Sequence, residues 1–318
     1  MKRSQASSSK GPPRLKPCKS GAPARRTPAR TTLVASLAVL IQVIVSAAPL
    51  SAAAACDESA LGTSRILQVG TQGGLEIGLK TYPRTLPLAD HEVVLTFDDG
   101  PLPATTGKLL DALKAQCVRA TFFMIGRMAA AAPSLAKRVA EEGHTIGYHS
   151  FSHPLMRLLS ENVARADIEK GFAAVDRAVY GSVGENPRTP FFRFPGFADT
   201  AALDAWLASR DIGVFGTDLW AADWWPMTPA AEEAAMLARL EKEKRGIILF
   251  HDIRAQTVAM MPAFLRELKT RGFHVVHLVP GPGRAETREA SPGWSSETER
   301  VIAEIFADRF RRMVPIRR

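Results

Sequence analysis

Several features that would commit a chain to well-known chemistry are missing here. No G-x-G-x-x-G or G-x-x-x-x-G-K-[ST] follows any strand-like run, so the backbone cradles that hold nucleotide phosphates are absent. No G-x-S-x-G occurs, which excludes the serine elbow of the α/β hydrolases. Only three cysteines are present, and neither Cys56 nor Cys117 has a local context that would lower a thiol pKa. Acidic residues are lacking from the first 56 positions, which carry nine Lys and Arg. The whole chain has 41 basic and 32 acidic residues, so the 32 basic residues left after position 56 balance all 32 acidic ones. The net charge of +9 therefore belongs to the leading segment, and the electrostatic case for nucleic-acid binding disappears.

What is present begins with that segment. The basic stretch is followed by an apolar run from Leu33 to Ala48, then Pro49 and the small residues Ala52 to Ala55. A basic region, an apolar core and an Ala-x-Ala site read as an export signal, cleaved near Ala55. The alternative is an uncleaved anchor helix, but the run is slightly short of the ~20 apolar residues that cross a bilayer, and Pro49 ends it. Arg25-Arg26 hints weakly at twin-arginine export. Either way the residues after 56 are expected outside the cytoplasm, periplasmic or secreted. Cys18 is discarded with the tail, leaving Cys56 and Cys117 as an even pair in an oxidising compartment, where a disulfide persists. A second reading lipidates Cys56, although Ala53-Ala54-Ala55 lacks the large aliphatic residue usual before such a cysteine. Membrane association is expected only through an uncleaved signal anchor or that lipid.

Strand-like runs recur at 92–97, 121–125, 145–149, 191–194, 214–218, 246–251 and 273–279. Helical patterns fall between them at 105–116, 133–142, 160–180, 200–209, 229–244 and 257–271. In the clearest, Ile168, Phe172, Val175 and Val179 share one face, and Gly181 supplies the stop. Pro262 inside the last pattern predicts a kink or a later start. Strands alternating with helices imply a parallel sheet, and runs such as Val93-Val94-Leu95 are apolar on both faces, as a sheet covered on both sides requires. Seven units fit an α/β barrel slightly short of eight-fold, with an open doubly wound sheet as the alternative. Beyond Pro280 the glycine- and proline-rich stretch reads as a linker. Ser296-x-x-Glu299 is a capping box for a terminal helix with Val301, Ile302, Ile305 and Phe306 on one side.

Five of the seven strands end in ionisable residues: Asp98-Asp99, His149 with His153, Arg193, Asp218 with Asp223 just beyond, and His251. In parallel α/β barrels that end of the strands builds the active site. His149 and His153, at i and i+4, reach one metal ion if the segment turns helically, and one carboxylate completes a two-His, one-Asp site with a position open for water. Two adjacent carboxylates repel, and a metal bound by one leaves the other free as a base. Gly100-Pro101 bends the chain so that both can face the mouth.

The motifs Thr96-Phe-Asp-Asp-Gly-Pro101, His149-Ser-x-x-His153, Arg193-x-Pro195, Asp223-Trp224 and Leu249-x-His251 resemble, in order, the five motifs of the polysaccharide deacetylases, the NodB homology domain or carbohydrate esterase family 4. The resemblance covers about residues 85–280. It implies a distorted (β/α)7 barrel, a divalent metal, usually Zn2+, and hydrolytic N-deacetylation of an N-acetylglucosamine-containing polysaccharide, chitin-like or peptidoglycan. By the same resemblance Asp99, His149 and His153 would bind the metal, and Asp98 would be the general base held by Arg193. His251 would be the general acid oriented by Asp223, and the backbone N–H of Gly196 would meet the oxyanion. The family's fourth motif usually spaces its two aspartates three apart, whereas Asp218 and Asp223 are five apart; Gly196 stands where an aromatic residue is common. Trp224 is the tryptophan expected to line the pocket. Two alternatives share the same motifs: a deacylase of another substrate (an O-acetyl xylan ester or a non-sugar amide), or a non-catalytic exported sugar-binding domain. The chain is thus read as a leader over 1–55, a lead-in over 56–84, a deacetylase domain over 85–280, and a linker with a helix over 281–318.

Overall fold

The computed structural model describes residues 56–304. The leader over 1–55 and the Ile305-Phe306 pair of the terminal helix lie outside the described residues. The strands are β1 (Thr63–Gly70), β2 (Leu75–Ile77), β3 (Arg84–Thr85), β4 (Glu92–Asp98), β5 (Thr121–Met124), β6 (Thr145–Tyr148), β7 (Phe191–Phe192), β8 (Gly213–Phe215), β9 (Leu219–Trp220), β10 (Gly246–His251), β11 (His274–Gly281) and β12 (Arg288–Glu289). The helices are α1 (Thr106–Ala115), α2 (Gly126–Ala131), α3 (Pro133–Glu141), α4 (Glu161–Tyr180), α5 (Ala201–Ala208), α6 (Pro229–Glu243) and α7 (Ala255–Thr270).

Strands β9, β10, β4, β5, β6, β7, β8 and β2 lie side by side in that order, all parallel. No ladder among the described residues joins β2 to β9, so the sheet forms a distorted α/β barrel rather than a closed one. Residue alternation sorts the side chains. Val93, Leu95, Phe97, Phe122, Ile146, Phe192, Ile248 and Phe250 face outward into the layer shared with the helices. Val94, Phe123, Phe191, Phe215 and Ile247 fill the interior. Continuing the inward phase along each strand gives Asp98 after Val94 and Thr96, His149 after Gly147, Arg193 after Phe191, and His251 after Ile247 and Leu249. The pleat that packs the core therefore also aims the polar groups into the barrel mouth.

The strand expected over 214–218 stops at Phe215, the end of β8, and the separate strand β9 begins only after Gly216 to Asp218. Asp218 accepts hydrogen bonds from the backbone N–H groups of Leu79 and Ile247 and from Thr85, which fastens the lead-in to the start of β10. It sits at the far end of β10 from His251, not on the rim where the sequence had placed it. This separation explains the five-residue spacing to Asp223: one aspartate braces the sheet and only the other serves the mouth.

The lead-in over 56–84 is built into the sheet. β1 pairs in parallel with β11 and β2 with β8, while β3 pairs antiparallel with β12 from the expected linker. Helical residues 297–304 follow Ser296, whose hydroxyl accepts from the Glu299 N–H as the capping box predicts; Ile302 is buried. Cys56 and Cys117 form a disulfide that closes the lead-in onto the end of α1 and consumes the thiol that lipidation would need. Pro262 does not delay α7, which starts at Ala255 and runs through it. α4 ends at Gly181, left-handed at φ 72°.

His144 and His277 are buried beside each other at the opposite, N-terminal end of the strands. His144 Nδ1 lies 3.1 Å from the Ala120 N–H, and His277 Nε2 lies 3.0 Å from Thr145 Oγ1, whose hydrogen is committed to the Leu278 carbonyl. Burial, helped by nearby Arg119, holds both neutral, His144 at about 3 and His277 at about 4 against an ordinary 6.5. The unfolded chain takes up protons at these positions below about 6.5 while the folded chain refuses them, so stability falls as pH drops from about 6.5 toward 4. Replacing His144 by Asn, which keeps an acceptor near the Nδ1 position, is expected to flatten that fall in urea-unfolding series taken between pH 7 and 4.5.

Candidate active site

β4 ends at Asp98, and the next residue, Asp99, has φ 80°; the Gly100–Pro101 peptide is cis. The left-handed Asp99 breaks the alternation, so consecutive carboxylates share one mouth. A Cβ on Gly100 would stand 1.8 Å from Asp252 Oδ2, so no other residue fits that bend without displacing the Asp252 carboxylate.

His149 and His153 come together without the helical turn expected of them. The segment is a loop in which Ser150 (φ 60°) and His153 (φ 62°) are both left-handed, and Ser150 Oγ accepts from the His153 N–H. His149 Nδ1 faces the Arg193 carbonyl at 2.8 Å, a contact that requires Nδ1–H and leaves the Nε2 lone pair pointing at the aspartates. His149 Nε2 lies 3.5 Å and His153 Nε2 3.2 Å from Asp99 Oδ1. The ligand atoms of Asp99, His149 and His153 lie within 4.8 Å of one another. Asp99 Oδ1 is buried without a hydrogen bond of good geometry. An oxygen left bare beside two imidazole nitrogens fits a divalent cation, because a buried carboxylate oxygen otherwise costs its full desolvation. Burial works to raise the Asp99 carboxyl, but His153, His251 and His149 together hold it below the ordinary carboxylate range.

Arg193 is wholly buried inside the barrel. Its guanidinium donates to Asp98 Oδ1 at 2.7 Å, Thr96 Oγ1 at 2.9 Å, and the carbonyls of Phe215 and Gly216 at 2.9 and 3.1 Å. Its Cζ lies 4.1 Å from the centre of the Phe123 ring, which in turn rests on Gly147, where a Cβ would come within 2.5 Å of that ring. Burial lowers the Arg193 pKa, and the Asp98 charge opposes that. Asp98 Oδ2 is left facing the mouth, 3.8 Å from His149 Nε2.

On the other side stands His251, the last residue of β10, register-paired with Asp98. Asp223 clamps it twice: Oδ2 accepts the backbone N–H at 2.7 Å and Oδ1 accepts from Nδ1 at 2.7 Å. Burial disfavours the imidazolium, but Asp223, followed by Asp99 and Asp98, pushes its pKa up to about 9. The Trp224 ring stands edge-on to His251 at 6.2 Å and meets Trp220 at 5.8 Å. Trp220 stacks on Phe197 and lies under Lys80, which pairs with Glu297. Gly196 is exposed in a tight turn at φ 58°, within reach of Leu155. The structure therefore brings Asp98, Asp99, His149, His153, Arg193, Asp223 and His251 to one rim with Trp224 beside them, and leaves Asp218 elsewhere.

Sequence reading missed the supports behind the histidine loop. Asp167, on α4, accepts from the N–H groups of Phe151 and Ser152 and from the Ser152 hydroxyl. Gly171, one turn later, lets α4 approach so closely that a Cβ would lie 2.5 Å from the Ser150 carbonyl carbon. The faint signals are an aspartate and a glycine four apart on a helix otherwise read for its apolar face.

A polysaccharide deacetylase family model matches residues 86–214. A peptidoglycan-N-acetylglucosamine deacetylase of Bacillus cereus is 33% identical over 205 residues, 61% of this chain and 72% of that protein. The chain belongs to the polysaccharide deacetylase family. A chitooligosaccharide deacetylase of Sinorhizobium fredii is 31% identical over 213 residues, spanning 61% of this chain and 93% of that enzyme. Among solved structures, a Bdellovibrio bacteriovorus peptidoglycan deacetylase superposes with a TM-score of 0.62 at 35% identity, covering 70% of this chain and 60% of that one. The family match ends before Asp223 and His251.

If Asp167 holds the loop that carries both imidazoles, Asp167→Ala should weaken Zn2+ binding by about tenfold. Competition with a chromophoric chelator, on a variant whose far-UV circular dichroism is unchanged, measures this directly.

Proposed function

We propose that this chain is an exported, metal-dependent hydrolase that removes N-acetyl groups from an N-acetylglucosamine-containing polymer. The observation that carries the proposal is the convergence of a candidate Asp-His-His metal site, a free carboxylate oxygen and a clamped imidazole on one rim. The printed activities of the relatives, on peptidoglycan and on chitooligosaccharides, support this substrate class.

In this reading Asp99, His149 and His153 hold the metal, with Zn2+ suited to two imidazoles and one carboxylate. A divalent ion there supplies Lewis acidity, polarising the acetamido carbonyl and acidifying water. The protein's own groups do the rest. Asp98 presents Oδ2 to the attacking water and takes its proton, while Arg193 occupies Oδ1 and holds the carboxylate in place. Water oxygen bonds to the carbonyl carbon, and the Gly196 N–H faces the developing oxyanion. His251, protonated at neutral pH because of Asp223, gives its proton to the nitrogen as the C–N bond breaks, so acetate and a free amine leave. Trp224 walls the sugar side of His251. The basic and apolar leader directs export, a reading that the Cys56–Cys117 disulfide supports because such bonds persist in oxidising compartments.

Asp98→Asn should retain Zn2+ yet lose at least a hundredfold in acetate release, the contribution typical of a positioned general base. A fully active Asp98→Asn would remove Asp98 from the base role. Assays on peptidoglycan, chitin oligomers and acetylxylan in parallel, with and without chelator, separate the substrates; acetate from acetylxylan alone would replace the amide reading with an ester one. Since His251 must carry its proton, kcat should hold through neutral pH and fall as pH rises past about 9.

A further inference from the structure

Behind Asp223 lies a second buried carboxylate that the proposed reaction does not use. Glu232, in the first turn of α6, is wholly buried, and its Oε1 is 2.8 Å from the hydroxyl of Thr257 in the first turn of α7. The same hydroxyl is 2.9 Å from Asp223 Oδ2, the oxygen that also accepts the His251 N–H. Thr257 is fully buried, and Glu232 Oε2 has no hydrogen-bond partner among the described residues.

A hydroxyl has one hydrogen and cannot donate to two carboxylates at once. Its second contact is a hydrogen bond only if one carboxyl brings a proton. Both Asp223 oxygens already accept from His251, at its backbone N–H and its Nδ1, whereas Glu232 meets only the hydroxyl, so the proton belongs on Glu232, and the chain runs from Glu232 Oε1–H to Thr257 Oγ1 to Asp223 Oδ2. We propose that Glu232 is a positioning residue for the leaving-group acid: by donating to Thr257 it commits the hydroxyl's hydrogen to Asp223 and fixes the carboxylate that clamps His251. This rests on reading His251 as that acid. Burial, reinforced by the negative Asp223 and opposed by the Thr257 hydrogen bond and the His251 charge, pushes Glu232 up to about 7. The charged groups around the chain are Asp223 and His251 themselves, with Asp98 and Asp99 across the rim and Asp252 next in sequence.

The test compares Glu232→Gln, Glu232→Leu and Thr257→Val in the full chain loaded with Zn2+. Glutamine can donate an amide N–H to the same hydroxyl and should keep both kcat and the pH at which the His251 ring titrates in 15N spectra. Glu232→Leu and Thr257→Val should each lower kcat about tenfold at unchanged KM and lower that titration, the loss expected for one hydrogen bond to a charged group. The Glu232→Leu/Thr257→Val double variant should lose no more than either single one, because both break the same chain. Wild-type kcat and an unmoved His251 titration in Thr257→Val would overturn the proposal, as would a Gln variant as impaired as the Leu variant. The ring titration needs no substrate, so it judges the clamp separately from whether the chain releases acetate. Thr257→Val, close in shape to the native residue, keeps the test alive if Glu232→Leu does not fold.

Discussion

The structure depends on one buried charge pair, Arg193 with Asp98. A guanidinium fully inside a barrel is tolerable only when its hydrogens are spoken for, and here a carboxylate, a threonine hydroxyl, two strand-end carbonyls and the Phe123 face receive it. Removing one partner from such a pair typically costs about 3–5 kcal/mol, because the other charge is left stranded. The acceptors come from β4 and from the last residue of β8 and the one after it, while Arg193 itself follows β7. Three strand ends are thereby fixed relative to one another, and Asp98 is fixed with a single oxygen free.

From that anchor the rest of the rim is set by short links. The Arg193 carbonyl fixes the His149 tautomer, so one residue orders both the candidate base and a candidate metal ligand. Asp99 follows Asp98 through a left-handed step, and Asp252 fills the space beside Gly100 while His251, its neighbour, faces the mouth. Asp223 clamps the opposite wall through two contacts to one residue, and is itself backed by Thr257. Negative carboxylates thus flank a row of imidazoles, and the two ends diverge in character: His149 is kept neutral at about 4 by burial, whereas Asp223 keeps His251 charged.

Much of this was legible in the sequence because strand alternation and strand ends are written locally. The runs at 92–97, 121–125, 145–149 and 246–251 match β4, β5, β6 and β10 closely, and the polar residues at the ends of β4, β6 and β10 fall on the rim. β1 went unread because it is only half-buried, with Ile66 largely exposed and Arg65 reaching to Glu92, so its apolar and polar residues do not sort cleanly. β2, β3, β9 and β12 have two or three residues each and owe their existence to their partners. Asp218 was misassigned for the same reason: nothing local announces that the strand breaks at Gly216. Glu232, Thr257, Asp167 and Gly171 act from helices packed behind the rim, where meaning arises only once the helices are docked.

The arrangement of β10 bears on how the chain divides. β10 lies along β4 over six register pairs, and β11 and β1 continue from the start of β4. A fragment trimmed to the stretch that carries the family signature, 86–214, would strip β4 of that neighbour and lay bare a long apolar strand edge. Such an edge invites pairing with other copies. The recognisable half of this protein is therefore not a unit that can stand by itself, and exchange of modules between relatives would have to carry the segments at both ends together.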